Sequence, residues 1–142
     1  MKLPDLNLLI YAIDEGSPLH EQARPWLERT LSGTEEVGFA WPVLLGFIRL
    51  STNAAVFERP LGAGEALDCV DGWLGQTVTA VVHPTPQHAA LLRRLLEPLG
   101  TAGNLTTDAH LAALAIEHGA ELCSHDADFS RFGGLRWSDP LR

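Results

Sequence analysis

Helical and extended apolar patterns alternate from one end of this 142-residue sequence to the other. Such alternation points to one architecture, helices layered on a mostly parallel sheet. Residues 2–6 read as a short strand, followed directly by an apolar turn or helix over 7–12. Residues 18–31 form a surface helix, because Leu19, Ala23, Trp26, Leu27 and Leu31 recur at spacings of three and four. A buried strand is predicted over 37–40. An almost wholly apolar helix over 43–50 follows, with Pro42 suited to its first turn. Next come a helix over 65–74, a β-branched strand over 77–82, and a helix over 87–99 that Thr85 opens and Gly100 closes. The helix that starts at Thr106 and Thr107 ends at Gly119 and leads into a strand over 121–124, the second half of a βαβ unit. The remainder reads as a turn, a short helix around Phe129 and Phe132, and an edge strand over 135–137. With no repeat and no long linker, the expectation is one α/β domain over residues 1–142, with about four or five strands.

Composition narrows the function classes. Eighteen acidic against ten basic residues give a net charge of −8. Coating nucleic acid through bulk charge is excluded, because that mode needs many cations to displace counterions. A nuclease is not, since its active site can be acidic while a few arginines touch phosphates. No apolar run reaches the length of a membrane span and no leader pattern precedes the first strand, so a cytoplasmic protein without membrane contact is expected. Cys69 and Cys123 lie in no metal-ligand spacing and read as free, buried thiols.

In a parallel sheet, ligands bind beyond the carboxyl ends of the strands. Aspartates stand at three such places: Asp5 after the first strand, Asp126 and Asp128 after the strand over 121–124, and Asp108 in the first turn of the helix between. Alone, each could be a cap or a strand end. Gathered, they would repel one another unless a cation neutralised them, and hard oxygen donors select Mg²⁺ or Mn²⁺. Asn7 lies beside Asp5, and Asp128 reads as a supporting or capping group.

Other chemistries fit less well. His110 lies two positions beyond Asp108 and so faces away from it on a helix, His118 sits at a helix end, and zinc through these or His125 is disfavoured. Neither phosphate-cradling glycine motif occurs. A receiver domain would need a late lysine, yet Lys2 is the only lysine. A dehalogenase-like phosphatase would need a second aspartate where Asn7 stands. The four tryptophans read as core or interface residues before RNA-stacking ones, and Arg49, Arg93, Arg94, Arg131 and Arg136 are the candidate phosphate contacts.

The stretches Asp5-Leu6-Asn7-Leu8-Leu9-Ile10-Tyr11-Ala12, Thr107-Asp108-Ala109-His110-Leu111-Ala112 and Ser124-His125-Asp126-Ala127-Asp128-Phe129, in this order, resemble the PIN-domain nucleases. The segment Trp41-Pro42-Val43-Leu44-Leu45-Gly46-Phe47-Ile48-Arg49-Leu50 further resembles an actinobacterial subgroup of VapC toxins. The resemblance implies a PIN-like, Rossmann-like fold and a Mg²⁺-dependent endoribonuclease in which Mn²⁺ can substitute. Asp5, Asp108 and Asp126 would be catalytic and metal-binding, supported by Asn7, Ser124 and Asp128. It also implies a VapB-type antitoxin as partner, tRNA or rRNA rather than bulk mRNA as substrate, and a homodimer that forms a heterotetramer or larger assembly with the antitoxin. Two positions depart from the family pattern. Gly46 stands where many relatives have glutamate, and Leu6 where many have threonine. The alternative expectation is therefore a PIN-like fold with weak or lost catalysis that acts mainly by binding protein or RNA.

Overall fold

The computed structural model describes residues 1–142. Five strands, β1 (Lys2–Pro4), β2 (Val37–Phe39), β3 (Thr79–Val81), β4 (Glu121–Cys123) and β5 (Trp137–Ser138), form one sheet in the order β3-β2-β1-β4-β5. Every pairing is parallel; Leu3 lies opposite Leu122 and Pro4 opposite Cys123. Six helices flank it: α1 (Leu6–Ile13), α2 (His20–Leu31), α3 (Trp41–Ser51), α4 (Ala63–Leu74), α5 (His88–Leu96) and α6 (Thr106–Glu117). Elements arise where the sequence pattern places them, with ends that coincide or shift by up to three residues. The first strand stops at Pro4 because Asp5 already caps α1, its carboxylate accepting from Leu6 N–H at 2.7 Å.

One cluster of 31 buried apolar residues fills the space between sheet and helices. Leu3, Val37, Phe39 and Leu122 are fully buried, as strands covered on both faces require. Helix α6 lies deepest: Ala109 and every residue from Leu111 to Ala115 are buried, so no polar stripe survives along its middle. Gly119, at φ 61°, then reverses the chain into β4 in a left-handed conformation that side chains disfavour.

The chain leaves β1 toward β2 on one side and returns as β4 on the other. The strand order therefore switches between β1 and β4, and the crevice beyond their carboxyl ends is the natural ligand site of such a sheet.

Candidate active site

Four aspartates meet at this switch point. Asp5 follows β1 directly and is only 8% exposed. Its backbone N–H donates to Cys123 O at 2.8 Å, which ties it to the end of β4. One carboxylate oxygen accepts from Leu6 N–H, the other from the Ser124 hydroxyl at 2.7 Å. Burial is the main reason the Asp5 pKa is raised; the two hydrogen bonds oppose it, and Asp126 adds repulsion. Asp108, half-buried in the first turn of α6, is pushed up to about 6, first by burial and then by Asp5, Asp126 and Asp128. Asp126 caps the 3₁₀ turn Ala127–Arg131 through Asp128 N–H at 2.9 Å, so its capping and site positions coincide. Asp128 is exposed at the rim, 3.6 Å from Arg131.

Ser124 is the hub. Fully buried at the end of β4, its hydroxyl donates to Asp5 and accepts from Asp126 N–H at 3.0 Å and from the Asn7 amide at 3.3 Å. A hydroxyl has one proton and two lone pairs, and all three are used. From the sequence Ser124 is only a polar neighbour of Asp126; no local pattern shows that it joins Asp5, Asn7 and Asp126. The Trp137 indole donates to Ser124 O at 3.0 Å, fixing the backbone from the far strand.

As the side chains stand, no three His, Cys, Asp or Glu groups are arranged to enclose an ion. The donor chemistry nevertheless fits a hard divalent cation. Asp5, Asp126 and Asp128 all add repulsion to the Asp108 carboxylate, and the Asn7 side-chain oxygen is buried without a hydrogen-bond partner. A buried, unpaired amide oxygen is costly unless something electropositive meets it.

The histidines are engaged elsewhere. His110 Nδ1 lies 2.9 Å from His88 Nε2, and His88 Nδ1 lies 3.0 Å from Glu117, whose side chain is 1% exposed. His118 meets His83 O and His125 meets Asp139. Cys123 is buried within β4, and burial raises its pKa to about 11, which leaves an inert thiol. Trp26 and Trp73 are core residues, as expected, while Trp41 is exposed.

Residues 2–135 match the PIN-domain family model. The chain belongs to the PIN-domain family. It is 47% identical to ribonuclease VapC37 of Mycobacterium tuberculosis over 99% of this chain and 97% of that one. It is 44% identical to ribonuclease VapC33 of the same species, over 100% and 99% respectively. The crystal structure of VapBC2 from Rickettsia felis, bound to a DNA fragment from its promoter, shares the fold with a TM-score of 0.70 at 18% identity, covering 97% of each chain. Within this PIN domain Leu6 and Gly46 touch. A Cβ built on Gly46 of α3 would lie 2.7 Å from a terminal carbon of Leu6. Leu6 thus occupies the space that a side chain at position 46 would need.

Proposed function

We propose that this PIN domain is a metal-dependent endoribonuclease toxin of a VapBC-type system, acting in the cytoplasm and neutralised by a VapB-type antitoxin. The observation that carries the reading is the convergence of Asp5, Asp108 and Asp126 at the β1/β4 switch point, on a chain whose nearly full-length relatives are named ribonucleases. Asp5, Asp108 and Asp126 would hold Mg²⁺ or Mn²⁺, with the buried, unpaired Asn7 oxygen as a further donor and Asp128 adding charge at the rim. When bound there, such an ion supplies charge neutralisation on phosphoryl oxygens and a more acidic water. The chain's own contribution is placement. Leu6 N–H and the Ser124 hydroxyl hold both Asp5 oxygens in fixed directions, and the first turn of α6 supplies Asp108.

The purified chain is expected to cleave tRNA or rRNA when Mg²⁺ or Mn²⁺ is added and to stop when the metal is chelated. Equal cleavage in excess chelator would refute the metal mechanism. Absence of cleavage with every divalent ion would favour a binding role instead.

The same reading includes a homodimer. The exposed large apolar residues are Trp41 and Leu45 of α3, Leu67 of α4 and Val56 in the connection between them. Leu45 is 58% exposed and lies one helical turn from Trp41 on α3, and burying exposed apolar side chains is the usual basis of a symmetric interface. Leu45→Glu should convert a dimer to a folded monomer by light scattering at micromolar concentration. A variant that remains dimeric would place the interface elsewhere.

A further inference from the structure

Between the end of α5 and the turn that precedes β5 lies a cleft of about 520 Å³, whose lining includes Arg94, Leu95, Pro98, Arg131, Gly133 and Gly134. Its only charged lining groups are the two arginines, in a chain of net charge −8. Arg94 has no carboxylate partner, unlike its neighbour Arg93, which faces Glu97 at 3.9 Å. Its guanidinium lies over Gly134, where a Cβ would come within 3.8 Å; at φ 81° that residue is also in the left-handed region. Arg131 closes the 3₁₀ turn that Asp126 opens. Its guanidinium lies 3.6 Å from Asp128 at the rim of the acidic site, an exposed pair that solvent screens and that leaves other N–H donors of the fork free. The other wall leads through residues 100–105 into α6 and Asp108. The Arg131 wall of the cleft therefore borders the acidic site.

We infer that Arg94 and Arg131 form a phosphate subsite that grips the RNA backbone beside, and not at, the scissile linkage. This rests on the ribonuclease reading for its choice of ligand. Guanidinium groups match phosphate oxygens in bidentate fashion, and two of them in one cleft set the direction in which a strand leaves an otherwise repulsive acidic surface. The apolar floor from Leu95 and Pro98 accommodates a sugar or base between the two cations.

The test is binding of a single-stranded RNA 12-mer by fluorescence anisotropy in excess EDTA, from 50 to 300 mM salt, so that no cleavage is needed. Wild type is compared with Arg94→Gln, Arg131→Gln, the double variant, and Arg59→Gln as a control on a distant surface. Each cleft substitution is expected to weaken binding about threefold to tenfold. Each should also lower the slope of log affinity against log salt by about 0.7, and the double variant by about 1.4. Arg59→Gln should bind as wild type. Wild-type affinity and slope in the double variant, or no salt-dependent binding by wild type, overturns the subsite. So does a double variant that loses antitoxin binding while keeping RNA binding, which would give the cleft to the protein partner. Cleavage by wild type in Mg²⁺ is scored separately: binding without cleavage would refute the nuclease and leave the subsite standing.

Discussion

Asp108→Asn is expected to reduce RNA cleavage by at least about 100-fold, the scale of losing one charge-stabilising group in an active site, while making the metal-free chain more stable. The two effects have one cause. In the folded chain the Asp108 carboxyl is raised from its ordinary 3.8 to about 6, first by burial and then by Asp5, Asp126 and Asp128. Between those pH values the folded state holds more protons than the unfolded one, so stability falls as pH rises from about 4 to about 6 and stays lower above it. Because the side chain is only half-buried, solvent screening reduces the penalty at pH 7 to about 1 kcal/mol. The amide carries no charge, so the variant should melt about 3 °C higher than wild type at pH 7 and about equally near pH 4. Mg²⁺ should reverse the ranking. Saturating metal stabilises wild type by about 2.7 kcal/mol at a hundred times its dissociation constant, and should do much less for the variant. Thermal unfolding at both pH values, with and without Mg²⁺, checks this; equal melting temperatures at pH 7 would show that the carboxylates do not repel.

Ser124→Ala is the second large effect, and it reaches activity through positioning. The substitution leaves the Asp126 N–H and the Asn7 amide without their acceptor and removes a donor from Asp5. Buried groups left unpaired cost about 1–3 kcal/mol each. A loss of about 2–3 kcal/mol, read as a drop of roughly 6–9 °C in melting temperature, is expected. The hydrogen bond from Ser124 lowers the Asp5 pKa against the burial that raises it. Without it Asp5 protonates more readily, and the acidic limb of the cleavage profile should move to higher pH. A purely structural serine would lower activity by the same factor at every pH, so an unshifted limb would remove Ser124 from the positioning of Asp5.

Much of this was legible from residue types and local spacing. Short apolar and β-branched runs placed the five strands and spacings of three and four the longer helices, while residues 7–12 read as either a turn or a helix, because burial of one face is a property of consecutive residues. Asp5, Asp108 and Asp126 stood out because each lies just past a strand or in a helix first turn, and parallel sheets bring such ends together. Element ends were read less well: β5 falls at Trp137–Ser138 rather than 135–137, since a two-residue edge strand is defined by its partner β4 and hardly by its own pattern.

Fold class and the position of each aspartate at a strand or helix end were thus set by the sequence alone. Only the tertiary structure decided how distant residues share atoms. It put the Ser124 hydroxyl on Asp5 across 119 positions, and Leu6 over Gly46. It also drew His110 away to His88 and Glu117, and turned Arg94 and Arg131 toward one cleft. Each of these contacts depends on how strands pair and helices lie across them, and side-chain directions there follow from packing of the whole core, for which a stretch of sequence carries no local signal.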